Sequence, residues 1–324
     1  MINIDKSSEV DNLDDKDPVT VIIVNFNSGV LLSKCVNSVL SSDTPVNVIV
    51  VDNNSQDDSI ESMTTLFRKE KRLTLIRNSV NTGFAHASNQ ALKQAKGKYW
   101  LFLNPDCMIQ QDTIHEMCVL MDKNPDVAMS GPLILNPDGS EQRGCRRSIP
   151  TPWHSFISAF GLSKYFRKYI NTYQDFSHDK QPLPSEPVDV EAISGAFMLV
   201  RQSAIDEIGL LDEGYFLHCE DLDWCMRILQ KGWRILFAPN TVITHTKGGC
   251  SKDRKIFVLW HMHKGMVRFY SKFFKDKYPG SLMWLVVTGV WIRFIALAGF
   301  HAIKNTIAGY QTVITKVHAH SRTL

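Results

Sequence analysis

The sequence predicts an α/β protein with a mostly parallel central sheet, and three observations lead there. Short β-branched apolar runs recur at Val19–Val24, Val46–Val51, Leu73–Ile76, Tyr99–Leu103 and Val127–Met129. Each has the composition of a strand buried on both faces. The stretches between them, 30–42, 57–70, 84–96 and 111–123, have helical spacing. Strands alternating with helices build parallel sheets covered by helical layers. The strand ends, finally, are polar: Asn25-Phe26-Asn27, Asp52-Asn53-Asn54-Ser55, Asn78 and Asn104-Pro105-Asp106. In open α/β sheets the ligand crevice lies beyond the carboxyl ends of the strands, so these residues are the ones to inspect.

Along the chain, residues 1–17 are polar and acidic and read as a flexible leader. Residues 18–251 read as the catalytic body. Within it, Asn136-Pro137-Asp138-Gly139 is a turn signal, and Pro150, Pro152, Pro182, Pro184 and Pro187 mark irregular chain. Regular structure resumes at Val188–Val200, with helices expected near 202–208 and 220–231. Short strands are expected at Arg234–Ala238 and Thr241–Thr244. Residues 252–324 form a basic, helical tail.

A hydrophobic content of 44% and a charged content of 21% exclude a fibrous or wholly disordered chain. The total charge of +3 is unevenly spread, with residues 252–324 carrying 12 basic and two acidic side chains. A basic tail points to an anionic surface. Its apolar run favours a membrane over nucleic acid. Leu282–Phe300 holds 19 residues with one charge, Arg293, and is flanked by basic residues on both sides. That pattern favours an anchor lying in the membrane plane over a spanning helix. A buried core helix is the competing reading. The seven cysteines form no Cys-x-x-Cys pair, and the N-terminus lacks an apolar signal segment. Both point to a reduced, cytoplasmic setting.

Asn, Asp, Ser and Gly after strands serve equally well as helix caps and turns. Several such clusters on one edge suit a nucleotide better. An Asp after the second strand can accept a pyrimidine ring N–H, and helix N-termini favour a diphosphate.

The chain resembles glycosyltransferase family two, with the GT-A fold. The resemblance rests on Val50–Ser55, Asn81-Thr82-Gly83-Phe84-Ala85, Leu103-Asn104-Pro105-Asp106, Ser194-Gly195-Ala196-Phe197, Glu220-Asp221-Leu222-Asp223 and Thr244-His245, in the family's order. The Asn-Pro-Asp variant is similar to rhamnosyltransferases of cell-surface polysaccharide assembly, such as O-antigen or cell wall, which use dTDP-L-rhamnose. The resemblance implies an inverting, metal-dependent transferase acting on a lipid-linked glycan at the cytoplasmic face of the membrane. It implies Asp221 as the general base, with Gly195 and Glu220 at the substrate. Asn25, Asn27, Asp52, Asn81, Gly83, Asn89 and Asn104 would hold the nucleotide donor. Asp106 and His245 would hold Mn²⁺ or Mg²⁺. A UDP-sugar hexosyl- or N-acetylhexosaminyltransferase is the alternative within the family. A sugar-nucleotide-forming nucleotidyltransferase would need a basic, glycine-rich loop after the first strand, where this chain has Asn25-Phe26-Asn27-Ser28-Gly29. A non-catalytic nucleotide-binding scaffold would need neither Asp221 nor His245.

Overall fold

The computed structural model of the 324-residue chain describes residues 17–153, 178–246 and 254–320, with side chains through Lys304. The leader expected over 1–17 lies outside the described residues but for Asp17, as does Cys250.

The first half alternates as expected: β1 (Val19–Asn25), α1 (Val30–Leu40), β2 (Val46–Asp52), α2 (Ser59–Leu66), β3 (Leu73–Arg77), α3 (Phe84–Leu92) and β4 (Tyr99–Leu103). A two-residue strand, β5 (Cys107–Met108), then precedes α4 (Thr113–Lys123) and β6 (Val127–Leu135). The second half holds β7 (Arg146–Arg147), β8 (Val188–Asp189), β9 (Ala192–Ile193) and β10 (Phe197–Arg201). These are followed by α5 (Gln202–Ile208), α6 (Glu220–Gln230), β11 (Arg234–His245), α7 (Lys255–Phe273) and α8 (Gly280–His320).

Among the described residues the main sheet has nine strands, ordered β3-β2-β1-β4-β10-β6-β11-β5, with β8 also on β11. The β3-β2-β1-β4 half is parallel throughout, as βαβ alternation requires. β10 inserts antiparallel between β4 and β6, so the second half is mixed. The two strands expected at 234–238 and 241–244 are one long strand. Its register on β6 shifts between Ala238 and Val242, where Pro239 cannot supply a ladder hydrogen bond.

Strand alternation divides the core into two layers. Ile22, Val24, Ile49, Val51, Phe102 and Met198 pack on the side of α3, α5 and α6. Val21, Ile23, Val48, Val50, Leu101 and Leu199 pack on the side of α1, α2 and α4. The expected boundary after residue 251 does not separate two cores. Phe269, Tyr270, Phe273 and Phe274 of α7 join the first layer, together with Met283, Val286 and Val290 of α8.

Candidate active site

At the sheet edge, β1 and β2 end in register, with Asn25 opposite Asp52. Asn25 is fully buried, and its Nδ2 lies 3.0 Å from Asp52 Oδ1, 2.9 Å from Ser55 Oγ and 3.0 Å from Ser59 Oγ. Ser28 Oγ donates to Asn25 Oδ1. Asn25 therefore orients Asp52 from behind. Asn27 stands in the left-handed region (φ 53°), where asparagine is one of the few tolerant side chains. Its Oδ1 accepts from Gln56 N at 2.7 Å, closing the β1 and β2 loops onto each other.

Asn53 joins this edge to the next loop. Its Nδ2 donates to Gly83 O (3.1 Å), and its Oδ1 accepts from Asn78 Nδ2 (2.9 Å) and Thr82 Oγ1 (3.1 Å). Asn81 Oδ1 accepts from Gly83 N at 3.0 Å, turning the chain into α3. Gly83 has φ 87°, and a Cβ there would sit 2.6 Å from Phe216 O, so only glycine fits. Asn89 is placed differently from the expectation. Both ends of its amide are engaged by the 211–213 loop: Nδ2 donates to Leu211 O and Glu213 Oε1 (both 2.9 Å), and Oδ1 accepts from Leu211 N (3.2 Å). It is a scaffold residue in the body of α3, not part of the strand edge.

Asp106 and His245 come from opposite ends of the fold. β5 pairs antiparallel with the end of β11, setting Cys107 opposite His245. His245 Nε2 then lies 3.0 Å from Asp106 Oδ1, and both side chains are buried. His245 Nδ1 lies 2.7 Å from Gln142 Oε1. The orientation of that amide is fixed, because Gln142 Nε2 donates to Asn136 Oδ1 at 3.0 Å. Gln142 Oε1 can only accept, so Nδ1 carries a hydrogen, and Nε2 is the ring atom that faces the carboxylate. A neutral imidazole here would offer Nε2 as a metal ligand beside the carboxylate. Cys107 Sγ completes a group whose ligand atoms all lie within 4.8 Å. A nitrogen, carboxylate and thiol set fits Mn²⁺ better than Mg²⁺. Asn104 sits half-buried beside this group.

The 194–196 loop links the strand end that precedes Asp106 to Asp221. Asn104 N donates to Ala196 O at 3.0 Å, and Gly195 N donates to Asp221 Oδ2 at 3.2 Å. A Cβ on Gly195 would lie 3.3 Å from the Asp221 Cβ, so the close approach depends on glycine. Asp221 stands in the first turn of α6, with Oδ1 accepting from Leu222 N at 2.8 Å. Arg147 Nη2 donates to Asp221 Oδ2. Glu220 beside it is buried, and Oε2 has no hydrogen-bond partner among the described residues. Burial, and then the charge of Asp221, push the Glu220 carboxyl well above the usual range. Two residues ahead, His218 and Cys219 both have left-handed backbone (φ 68° and 73°). Gly265 of α7 lies under them, where a Cβ would come within 2.8 Å of His218 O.

Residues 20–209 match the family profile of glycosyl transferase family 2. The chain belongs to glycosyltransferase family 2. It is 27% identical over 290 residues to a Mycobacterium tuberculosis (strain H37Rv) N-acetylglucosaminyl-diphospho-decaprenol L-rhamnosyltransferase, covering 86% of this chain and 92% of the relative. It is 22% identical to a Staphylococcus epidermidis poly-β-1,6-N-acetyl-D-glucosamine synthase, covering 86% of this chain but only 65% of that protein. Two solved structures share the GT-A fold. GalNAc-T7 with UDP, GalNAc and Mn²⁺ matches with TM-score 0.56 and 18% identity, over 79% of this chain and 48% of that one. The mannosyltransferase PcManGT from Pyrobaculum calidifontis, with GDP-Man and Mn²⁺, matches with TM-score 0.55 and 16% identity, over 91% and 80%. The enzyme is a glycosyltransferase.

Sequence reading missed Gln142 and Arg147. Both reach the site from the irregular stretch, where no periodicity or motif marks them. Only their contacts with His245 and Asp221 reveal them.

Proposed function

We propose that this glycosyltransferase moves L-rhamnose, with inversion, from dTDP-L-rhamnose to a lipid-linked glycan acceptor at the cytoplasmic face of the membrane. The observation that carries the reading is the 194–196 loop, which bonds through Ala196 O to Asn104, two residues before Asp106, and through Gly195 N to Asp221. Asp106 and His245 would hold a divalent cation, which when bound neutralises the donor diphosphate. Asp221 takes the proton of the acceptor hydroxyl as its oxygen bonds to the anomeric carbon, while the bond from that carbon to the diphosphate breaks. No second nucleophile is required, and a β-linked donor gives an α-rhamnoside. Asp52, Asn27, Asn81, Gly83 and Asn104 are the donor-binding residues of this reading. Gly195 and Glu220 lie at the acceptor side.

The choice of rhamnose and of a polyprenyl diphosphate acceptor is supported by the name and the coverage of the mycobacterial relative. Membrane attachment is supported by α8, whose residues Gly280–Lys304 are long and apolar enough to cross a bilayer. One stripe of this helix, Met283, Val286 and Val290, is buried, the helix packing along α7, and Trp284, Ile292 and Ile295 are exposed. A helix held along one side suits an in-plane anchor better than a spanning one.

The test is a donor panel with Mn²⁺ or Mg²⁺ and an N-acetylglucosaminyl-diphospho-polyprenol acceptor. Release of dTDP from dTDP-L-rhamnose is expected, lost in Asp221→Asn. Release of UDP from a UDP-sugar instead would assign the alternative donor. Release from none of the donors would support a scaffold.

A further inference from the structure

Arg147 is placed as though the short strand carrying it existed to deliver one guanidinium. β7 is two residues long and pairs with β9, with Arg147 opposite Ala192. Successive strand residues face opposite ways, so Arg146 and Arg147 part company. Arg146 is saturated by structural partners: Glu141 Oε1 at 2.9 Å, Gln181 O at 2.9 Å and Pro182 O at 3.4 Å. Arg147 turns toward the site. Its Nη2 donates to Asp221 Oδ2 and to Ile193 O, the latter at 3.3 Å. Its Nε is buried and has no hydrogen-bond partner among the described residues. A guanidinium seated to satisfy itself would not leave that donor idle. The pairing with Asp221 sets its position.

The choice of carboxylate is informative. Glu220 and Asp221 are adjacent and both shielded, with one guanidinium between β7 and α6. Arg147 contacts Asp221, while Glu220 keeps an oxygen without a partner. With Gly195 N on the same oxygen and Leu222 N on the other, Asp221 is held by three donors from three segments. Side chains held this way keep one rotamer, which is what a base needs to meet a hydroxyl at a fixed point.

We infer that Arg147 is a positioning residue for the transfer step, acting through Asp221 to hold the base in register with the acceptor. This inference rests on the reading of Asp221 as the base. A buried ion pair by itself says little about stability, so a purely structural role must be separated by experiment.

The test is a double-mutant cycle on the full-length enzyme, with turnover of dTDP-L-rhamnose or of the UDP-sugar that replaces it in the donor panel. Arg147→Ala is expected to lower kcat on the order of 10²-fold, the scale of a base misplaced by about 1 Å, with donor KM unchanged. Arg147→Lys keeps the charge without the planar fork and is expected to recover part of the loss. In the Asp221→Asn background, Arg147→Ala is expected to cost nothing further, because its effect passes through the missing carboxylate. The same fold-loss in both backgrounds, or a loss confined to KM, would overturn the inference. A full-strength Asp221→Asn enzyme would instead remove the base assignment itself. Thermal melts of each variant guard against misfolding. If Arg147→Ala does not melt cooperatively, the cycle is run with Arg147→Lys and judged by the same criterion.

Discussion

Asp221, Asp106 and Gly195 each depend on a neighbour far away in sequence. Asp221→Asn is nearly isosteric but cannot take a proton, so turnover should fall about 10²–10⁴-fold with donor affinity little changed. Rapid-quench turnover beside donor titration measures both, and an unimpaired variant would assign the base elsewhere. Asp106→Ala removes the carboxylate that lies 3.0 Å from His245 Nε2. It should abolish metal-dependent turnover and weaken Mn²⁺ binding measured by electron paramagnetic resonance, while the melt stays cooperative. Full activity in excess chelator would defeat this prediction. Gly195→Ala puts a methyl 3.3 Å from the Asp221 Cβ and 3.4 Å from its Oδ2. The carboxylate must shift, with a loss of kcat up to about 10²-fold. Unchanged kcat would mean that the loop yields instead.

Helix α8 has two unlike faces. Met283, Val286 and Val290 recur at helical spacing and pack against the first core layer. Trp260 of α7, Trp291 and Phe294 form an aromatic cluster with ring centroids 5.2–5.9 Å apart. The opposite face carries Trp284, Ile292 and Ile295, which are 62–67% exposed. Truncation at Gly280 would therefore strip the core of three buried side chains, and such a chain should aggregate. The cleaner test leaves the core side intact. Ile292→Glu with Ile295→Glu should abolish sedimentation with anionic vesicles while the protein melts cooperatively. Retained vesicle binding would place the anchor elsewhere. α7 is clamped more firmly still: Lys272 Nζ donates to Asp223 Oδ2 (2.6 Å) and Asp212 Oδ2 (2.7 Å). These contacts bind the first tail helix to the helix that carries Asp221.

Across the whole molecule, stability and protonation are linked through Glu220. Its carboxyl is raised in the folded state, chiefly by burial. The unfolded chain releases that proton in the ordinary glutamate range while the folded chain retains it, so folding is favoured below that range. Stability from this group is lost as pH climbs toward the raised folded value. Glu220→Gln should therefore melt higher than the parent at neutral and mildly alkaline pH, by about 2–4 °C for each kcal/mol. The two should converge near pH 5, and parallel melting curves across this span would contradict the linkage. The six cysteines among the described residues are all buried. Burial pushes the thiols of Cys118, Cys145 and Cys225 up to about 12, making them poor nucleophiles in the folded protein.

Some of this was legible in the residues alone. β-branched runs such as Val46–Val51 can only be strands buried on both faces, and their alternation with helices dictates the parallel half of the sheet. Polar residues at strand ends marked the edge because that is where a parallel sheet opens its crevice. The ordered motifs brought Asp106, Gly195, Asp221 and His245 onto one list. Local pattern could not say that Asn25 and Asn89 face inward, because an asparagine after a strand or in a helix reads the same whether it meets a ligand or a backbone carbonyl. Nor could it find Gln142, held by its backbone bond to Ile134 O and by Nε2 on His245 O, or Arg147, set by the β7–β9 pairing, because each meets residues distant in the chain. The apolar run in the tail was ambiguous for the same reason. Composition gives a helix its hydrophobicity, but only packing decides which side of it belongs to the core.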